Sequence, residues 1–431
     1  MVEKCNQKRV LEDLYYSYVS SALPENCLDH FSPIQPQGKT LLVGVGKAAI
    51  EYCKVLQHKI QGNYTGIIIS TYDKIAPGGD LEKFDVFSAS HPLPDKNGLF
   101  ASRHLMKEVA SLTSNDLLLF LISGGGSALL PAPPHGFTLD DEIILNQSLL
   151  DCGAPIQIMN LVRKHFSRLK GGRLARLAFP AKVHTLVVSD IPDDDIAQVA
   201  SGPTLATSGT AQDAIRAIRE NKIVLPKNIQ KFFLSDKIDT PNPEDGYFKD
   251  NIQELLVSAI KCMESTVNVA RSMGLKVVVI SDRSQGESKK VAGEHVKFVQ
   301  DFLLKNLVRS GQRVLFISGG ETSVAVANPE GKGGRNGEYL LSLAIHMESA
   351  NVGPFVAIAA DTDGIDGTEK NAGAIIDQNT IRKIKEKNLC PKELLEKNNS
   401  YLAFEAAGEL FFTGPTGTNV NDFRAIMINI N

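Results

Sequence analysis

The sequence predicts an α/β protein built from two doubly wound domains. Short, uniformly apolar runs of strand length alternate with longer amphipathic stretches along the chain. Strands that are apolar on both faces belong in sheets that helices cover on both sides. The chain has 431 residues, more than a single hydrophobic core usually serves. These observations together favour two Rossmann-like domains rather than one large one.

The individual elements follow from the same patterns. Runs too apolar to face water on one side predict buried strands, namely TLLVGV (40–45), GIIIS (66–70), LLLFLI (117–122), VHTLVVS (183–189), KVVVIS (276–281), RVLFIS (313–318) and FVAIAA (355–360). Apolar residues at helical spacing predict helices over 8–23, 48–60, 98–112, 139–150, 257–273, 289–307 and 338–347. Most of these helices fall between strands, as a doubly wound fold requires.

One segment has the composition of a linker. DKIDTPNPEDGYFKD (236–250) carries two prolines, a glycine, several charges and little periodicity. It separates a predicted N-terminal Rossmann-like domain, residues 1–235, from a predicted C-terminal α/β domain, residues 251–431. The tetrapeptide Ile-Ser-Gly-Gly occurs on both sides of it, but no wider similarity between the halves supports a duplication.

Composition excludes several classes of function. A net charge of -3 with 22% charged residues gives no electrostatic footprint for nucleic acid or an anionic membrane. No stretch approaches the ~20 apolar residues of a membrane span, and the N-terminus lacks the apolar core of a signal sequence. The six cysteines form no Cys-x-x-Cys pair, which disfavours disulfides and zinc. We expect a cytoplasmic protein, and nothing in the sequence indicates an oligomeric state.

Two predicted strands, LLLFLI (117–122) and RVLFIS (313–318), end in glycine turns that suit an anion. In SGGGSALL, which includes Ser123, Gly124, Gly125, Gly126 and Ser127, three glycines allow the backbone to approach a ligand through its N–H groups. The alternative is a tight turn in which Ser127 caps the next helix. No Walker sequence occurs, so a standard P-loop is excluded.

GVGKAA, from Gly44 to Ala49, follows the first strand and resembles a dinucleotide turn, with Asp73 as the residue that would hold a ribose hydroxyl. It places Lys47 at a helix N-terminus, where an ammonium group is disfavoured unless an anionic ligand lies beside it. Lys47 is therefore either a ligand contact or an ordinary solvated side chain.

A basic stretch and an acidic one follow. VRKHFSRLKGGRLA (162–175) concentrates Arg163, Lys164, His165, Arg168, Lys170 and Arg173, which suits a carboxylate or phosphate, with a solvated helix face as the alternative. In VVSDIPDDDIAQVASGPT (187–204), Asp190 comes directly after a buried strand, where α/β folds place ligand-binding groups. Asp193, Asp194 and Asp195 either cap the next helix or supply oxygen ligands to Mg²⁺.

The C-terminal half contributes a further group of polar residues. SGGETSVAV and EGKGGRNGEY bring Glu321, Lys332, Arg335 and Asn336 together, with Arg335 placed to hold a phosphoryl group through two hydrogen bonds. AADTDGIDGTEKNAGA (359–374) carries Asp361, Asp363 and Asp366 at a strand end and is otherwise a Gly/Asp turn series. GPTGTNVNDF (414–423) indicates a tight loop.

The ordered set of motifs is more specific than any one of them. HPLPD (91–95), ISGGGSALL, VRKHFSRLKGG, SDIPDDDIAQVASGPT, SGGETSVAV, GKGGRN, TDGIDG and GPTGTNVND together resemble the glycerate 2-kinase family, whose C-terminal part is the MOFRL domain. The resemblance covers nearly the whole chain, with weakest support in 1–38 and 206–255. It implies ATP-dependent phosphorylation of D-glycerate to 2-phosphoglycerate with Mg²⁺, in a cleft between two α/β domains.

The resemblance also assigns roles to residues. Lys47, Asp190 and Arg335 match the family's functional lysine, aspartate and arginine. We hypothesise that Ser123 to Ser127 hold substrate or phosphate, with Lys170, Glu321 and Asn336 as further binding residues. In the same hypothesis Asp190 orients or deprotonates the 2-hydroxyl, while Asp361 or Asp363 assists Mg²⁺. The chain departs from the family pattern at Gly337, which is usually glutamine, and at Asp193, which is usually glycine.

Two other functions remain open at this level. The GVGKAA turn followed by Asp73 is compatible with an NAD(P)H-dependent hydroxypyruvate reductase, a name that family members have carried. A sugar-acid or nucleotide sensor without catalysis is the third alternative. Phosphoryl transfer is favoured because it needs positioning and positive charge, which the candidate residues supply.

Overall fold

The structure is a computed structural model, and it describes residues 2–74, 81–189, 191, 195–206, 209–235, 238–305, 310–350 and 352–430. It divides into two compact units, which we call the middle unit (Cys27–Leu256) and the terminal unit (Met1–Asn26 with Val257–Asn431). An α/β fold is confirmed in both, because each contains a six-stranded sheet covered by helices.

The elements alternate along most of the chain. The helices are α1 (Val2–Ser21), α2 (Pro24–Cys27), α3 (Ala49–Leu56), α4 (Lys96–Ala110), α5 (Gly126–Leu129), α6 (Leu139–Asp151), α7 (Ile156–His165), α8 (Arg173–Ala178), α9 (Ala211–Glu220), α10 (Lys227–Phe233), α11 (Ala259–Ser272), α12 (Ser288–Lys305), α13 (Arg335–Ala350), α14 (Thr380–Glu386), α15 (Pro391–Glu396) and α16 (Ser400–Ala407). The strands are β1 (Thr40–Val45), β2 (Tyr64–Thr71), β3 (Phe84–Ala89), β4 (Leu117–Ile122), β5 (Lys182–Val188), β6 (Ile252–Val257), β7 (Lys276–Ser281), β8 (Arg313–Ser318), β9 (Phe355–Asp361), β10 (Gly373–Asp377), β11 (Leu410–Phe411) and β12 (Asp422–Asn429).

The sheet of the middle unit has the strand order β3-β2-β1-β4-β5-β6. The pairs from β3 to β5 are parallel, and Val45 at the end of β1 is level with Ile122 at the end of β4. The order reverses direction between β1 and β4. In open parallel sheets, ligands bind outside the carboxyl ends of the strands at such a switch point.

The sheet of the terminal unit is mixed, with the order β11-β10-β9-β12-β8-β7. Only β7 and β8 pair in parallel, and β12 lies antiparallel between β8 and β9. The last strand of the chain is therefore a central strand. The sequence pattern had not identified it as a strand.

The observed units divide the chain differently from the predicted domains, at the N-terminal helix and around the predicted linker. Helix α1 belongs to the terminal unit, where the Tyr15 hydroxyl donates to the carbonyl of Asp361 at 2.9 Å. The predicted linker lies within the middle unit, where Arg173 donates to the carbonyl of Asp239 and Phe248 packs against Gly172. Strand β6, assigned by prediction to the C-terminal domain, is an edge strand of the first sheet. Hydrogen bonds and the packing of Phe248 thus hold this segment of linker composition against the middle unit.

Helix α7, which carries the first part of the basic stretch up to His165, is fixed by its own small core. Phe166 at its C-terminus packs among Phe137, Phe232 and Phe233 with ring centroids 5.0–6.2 Å apart. Such a cluster holds a helix face in one orientation. Across the described part of the chain, no helix is long and apolar enough to cross a membrane.

Candidate active site

The two turns that follow β1 and β4 are joined at the switch point. The N–H of Lys47 donates to the carbonyl of Gly124 at 3.0 Å, and the N–H of Ser123 donates to the carbonyl of Val45 at 2.9 Å. The Ser123 hydroxyl accepts from the N–H of Ala48 at 3.2 Å. Ser123 is 2% exposed, so it connects the two turns rather than contacting a ligand.

The Lys47 side chain runs along the second turn. A Cβ atom built on Gly125, whose φ is +83°, would lie 3.4 Å from Cγ of Lys47 and 3.3 Å from Cδ2 of His91. Glycine is favoured here, since a residue with a side chain is strained at this positive φ and its Cβ would also crowd Lys47 and His91. Among the described residues no carboxylate lies within ion-pair distance of Nζ of the exposed Lys47. The sequence-based grouping of Lys47 with Gly124 to Ser127 thus corresponds to one local site.

The turn that follows β4 has backbone N–H groups that are not used in hydrogen bonds with described residues. The N–H groups of Gly124, Gly125 and Ser127 have no hydrogen-bond partner among the described residues. They adjoin a cavity of about 250 Å³ that lies within the middle unit. Unpaired backbone donors at a cavity wall are the groups that hold an anion.

The first turn offers no such donors. The N–H of Gly46 donates to Ile69, that of Lys47 to Gly124, and that of Ala49 back to Gly46. With the N–H of Ala48 also donated to Ser123, the turn that resembles a dinucleotide fingerprint has its donors already paired. A pyrophosphate would need those groups free.

The cavity has a positively charged wall. It is lined by His91, Gly124, Gly125, Ser127, Asn160 and Arg163, together with apolar side chains that include Leu150, Ile156 and Met159. Burial lowers the pKa of His91, and the charges of Lys47 and Arg163 lower it further. His91 is therefore neutral near pH 7, and the two cations act on the same place.

Lys170 occupies a different environment from the one predicted. Its Nζ is buried and donates to the carbonyl of Leu130 at 2.9 Å and to Oε1 of Glu142 at 3.0 Å. The two side chains are 2% and 3% exposed. A substrate-binding role does not fit this position, because the Lys170 ammonium group is buried and already paired with the Glu142 carboxylate. Asp190, Asp193 and Asp194 lie outside the described residues.

Arg335 is the centre of the second group of predicted residues. Its Nε donates to Oδ1 of Asp422 at 2.8 Å, its Nη1 to Oε1 of Glu321 at 2.8 Å, and its Nη2 to Oδ2 of Asp361 at 2.5 Å. Burial by itself lowers the pKa of Arg335, but the three carboxylates outweigh this effect and raise it above its ordinary value. The Arg335 side chain is 24% exposed and borders a cavity of about 430 Å³ within the terminal unit.

Asn336 and Asp366 shape the beginning of α13. Asp366 accepts from the N–H groups of Asn336 at 2.9 Å and Gly337 at 2.8 Å, and so pairs donors at the helix N-terminus. Asn336 is fully buried and donates to Oδ1 of Asp422 at 2.8 Å. The predicted phosphate contact by Asn336 therefore does not fit, since its amide group faces Asp422.

The predicted metal residues do not form a metal site. Oδ2 of Asp361 accepts from Arg335, its Oδ1 accepts from the N–H of Asp363, and Oδ1 of Asp363 accepts from the N–H of Ile365. Burial raises the pKa of Asp361, and the neighbouring Asp422 raises it further. In the ranges that the structure describes, no three His, Cys, Asp or Glu side chains are grouped to hold a metal ion. Asp361 and Asp363, as the structure places them, therefore do not fit direct ligands of a resident Mg²⁺.

Comparison with known proteins places the chain in a family. Residues 4–234 match the model "Domain of unknown function (DUF4147)", and residues 314–422 match the model "MOFRL family". A D-glycerate 2-kinase from Thermotoga maritima is 33% identical over 96% of this chain and 97% of its own length. The chain belongs to the glycerate 2-kinase family.

Two further similarities agree with this membership in different ways. The crystal structure of glycerate kinase from Thermotoga maritima superposes with a TM-score of 0.86 at 31% identity, covering 99% of this chain and 100% of the other. A protein of Agrobacterium vitis with a provisional hydroxypyruvate reductase name is 37% identical over 98% of this chain and 94% of its own length. Relatives of this chain thus have either a glycerate 2-kinase name or a hydroxypyruvate reductase name, the two activities that the sequence left open.

The sequence analysis of this member of the glycerate 2-kinase family did not identify Asp422 and Arg424 as residues of the candidate site. Both are fully buried at the start of β12, where they form an ion pair, and Arg424 also donates to Thr322 at 2.9 Å. Two opposite charges at positions i and i+2 of an otherwise apolar run, DFRAIMIN, lie on one face of a strand. That pattern was the available signal. Whether the two groups of residues meet in a cleft stays a prediction.

Proposed function

We propose that the protein transfers the γ-phosphoryl group of ATP to the 2-hydroxyl of D-glycerate, giving 2-phosphoglycerate and ADP. The observation that carries the proposal is the turn from Gly124 to Ser127, whose unpaired N–H groups adjoin a cavity beside the unpaired Lys47. Its position at a topological switch point, in a member of this family, supports a ligand site there.

The chemistry asks for charge and alignment rather than a covalent intermediate. The oxygen of the glycerate 2-hydroxyl bonds to the γ-phosphorus, the bond between that phosphorus and the bridging oxygen breaks, and ADP leaves with the electron pair. The N–H groups of Gly124 and Gly125 hold oxygens in place, and Lys47 Nζ stabilises the charge that develops on the equatorial oxygens. The hydroxyl proton goes to a carboxylate, for which Asp190 is our candidate.

Arg335 has the second role in the proposal. A guanidinium has five N–H donors, and carboxylates take three of those of Arg335. The remaining donors are available to a phosphoryl oxygen, and Glu321, which is 56% exposed, can release Arg335 most readily. ATP brings Mg²⁺ on its phosphates, and no step here depends on a metal ligand from the described residues. We place the reaction in the cytoplasm.

The decisive experiment uses the full chain with D-glycerate, ATP and Mg²⁺. ADP release is followed, and phosphorus NMR identifies the phosphorylated carbon. Lys47→Ala should lower kcat by about 100-fold or more, as removal of a charge-stabilising donor does in other enzymes. Lys54→Ala is the matched control, because Lys54 lies on the next helix and its one ion pair with a described residue is to Glu51 at the exposed surface. Unchanged turnover in Lys47→Ala would refute the assignment.

The reductase is tested in the same preparation. Hydroxypyruvate with NADH or NADPH should give no oxidation of the nicotinamide, because the donors of the Gly46 to Ala49 turn are internally paired. Oxidation of the cofactor without ADP release from ATP and D-glycerate would replace the kinase by the reductase. Binding without turnover of either pair would indicate a sensor.

A further inference from the structure

Arg163 is a charged side chain in the wall of the middle-unit cavity. It lies on α7, half-buried, beside the apolar side chains of Leu150, Ile156 and Met159. The same cavity is lined by Gly124 and Gly125, whose N–H groups have no partner in the described part of the chain. A cation on an otherwise largely apolar wall needs a counter-charge, because moving a charge out of water is unfavourable unless it is paired.

The described residues give Arg163 no ion-pair partner, and the nearest carboxylate charge that acts on it, that of Glu142, is already paired with Lys170. In the part of the chain that the structure describes, no carboxylate lies within ion-pair distance of its guanidinium. Its partners are neutral amides: Nε donates to Oδ1 of Asn146 at 2.7 Å, and Nη1 to Oδ1 of Asn160 at 3.4 Å. Burial lowers the pKa of Arg163, and the charge of Glu142 offsets only part of this effect. Arg335, with its three carboxylate partners, shows the opposite arrangement.

The amide partners are themselves held in place. Asn146 donates to the carbonyl of Glu142 at 2.8 Å, and Asn160 donates to the carbonyl of Gln198 at 3.1 Å. Asn160 also accepts from the Ser201 hydroxyl at 3.1 Å, and that hydroxyl lies 2.9 Å from the hydroxyl of Ser127. This chain of hydrogen bonds connects Arg163 to the glycine turn and fixes its orientation. The guanidinium keeps donors free in the planar geometry that a carboxylate matches.

We propose that Arg163 binds the carboxylate of the hydroxy-acid substrate and so selects an acid over an uncharged alcohol. The inference rests on the proposed function, and it adds a specificity residue to that site. The substrate's carboxylate supplies a direct ion-pair partner, while its hydroxyl is directed to the turn at Gly124 and Gly125. At that turn the hydroxyl faces the phosphoryl group, which Lys47 and the N–H groups of the turn bind.

Arg163→Gln is the main test. KM for D-glycerate should rise about 10- to 100-fold, the effect of losing hydrogen bonds to a charged group, while KM for ATP stays within about twofold. Arg163→Lys keeps the charge without the planar fork, and KM for D-glycerate should still rise several-fold. Arg219→Gln removes the same charge from an exposed position on α9 and should change neither constant.

Chemical rescue separates a binding role from a structural one. Millimolar guanidinium should restore activity to Arg163→Ala, whereas urea, a neutral molecule of nearly the same shape, should not. Calorimetric titration of D-glycerate into wild type and Arg163→Gln reads the carboxylate contact without turnover. Equal affinities, or a rise in KM for ATP instead of D-glycerate, would overturn the inference and leave the kinase assignment intact. If wild type fails to phosphorylate D-glycerate, the kinase fails, and the calorimetric difference alone decides the role of Arg163.

Discussion

Arg335 donates from Nε to Oδ1 of Asp422 at 2.8 Å, across 87 residues of sequence. Asp422 is fully buried, and its other carboxylate oxygen pairs with Arg424. The aspartate therefore orients Arg335 and is itself neutralised by Arg424. A buried carboxylate shared by two arginines costs less than an unpaired one, and it holds the exposed arginine in one geometry.

Replacing Arg335 by lysine should separate geometry from charge. An ammonium group cannot make three directed contacts in one plane, so we expect kcat to fall by about 100-fold with a smaller change in KM for D-glycerate. Steady-state kinetics with both substrates measures this. Glu321→Gln is the control, because it removes only the most exposed partner of Arg335 and should change stability by less than about 1 kcal/mol. An Arg335→Lys enzyme with unchanged kcat would refute the role.

Lys170→Met should act on stability rather than on binding. Removing one partner leaves the Glu142 carboxylate buried and unpaired, which lowers the free energy of unfolding by about 3–5 kcal/mol. Urea denaturation should show this loss, and the double variant Lys170→Met/Glu142→Leu should recover part of it. Stability equal to wild type with a raised KM for D-glycerate would restore the sequence-based assignment of Lys170 to substrate binding.

Gly337 should not accept the glutamine of the family pattern unless a neighbour also changes. A Cβ atom at this position would lie 2.6 Å from Oγ of Ser400. Such overpacking costs about 1–3 kcal/mol, more than the gain of about 0.5–1 kcal/mol expected from replacing glycine within a helix. Gly337→Gln should therefore lower the unfolding midpoint.

Removal of the Ser400 side chain should reverse that effect. In the double variant Gly337→Gln/Ser400→Gly the clash with Ser400 is absent, and the contact of 3.3 Å between the new Cβ and Oδ2 of Asp366 is the one that remains. A double-mutant cycle measured by urea denaturation gives the coupling. Additive effects of the two changes would show that the two positions do not constrain each other.

The buried carboxyl of Asp366 predicts a pH dependence of stability. Burial raises its pKa from 3.8 to about 6. A raised pKa in the folded state means that the stabilising contribution is complete below about pH 4 and is lost as pH rises through about 6. The loss is on the order of 3 kcal/mol.

The comparison with Asp366→Asn isolates this effect. The stability of wild type relative to the variant should decrease between about pH 4 and pH 7. Urea denaturation across that range measures the difference. Glu405→Gln removes an exposed carboxyl on α16 and should give a curve parallel to that of wild type. A constant difference between wild type and Asp366→Asn would contradict the prediction.

The sequence predicted most of the sheet cores because burial leaves a direct pattern. Every apolar run that was interpreted as a strand is a strand, and β1, β4, β7 and β8 have the predicted bounds. The strands that were missed are shorter or less uniform: β3 carries exposed positions, and β11 has two residues. Strand β12 was missed for a different reason, because a turn-rich segment precedes it and charged residues open it.

The candidate site was predictable where chemistry follows strand ends and not where it depends on partners. Lys47 and the Gly124 turn meet because β1 and β4 are neighbours, an arrangement typical of doubly wound folds. Nothing in the sequence distinguishes Lys170, which pairs with Glu142, from Arg163, which faces a cavity. Both lie in one basic stretch, and only the packing of α7 and its neighbours separates their roles.

The positions of α1 and β12 determine the order in which this chain can fold as it is synthesised. Leu11, Leu14 and Tyr18 of α1 are fully buried in the terminal unit, whose sheet needs β12 between β8 and β9. Helix α1 must therefore wait until β12 has been synthesised before its sheet is complete, while the whole middle unit is synthesised between them. Shortening the chain from the C-terminus would remove the centre of a sheet, and an N-terminal deletion would uncover its apolar face.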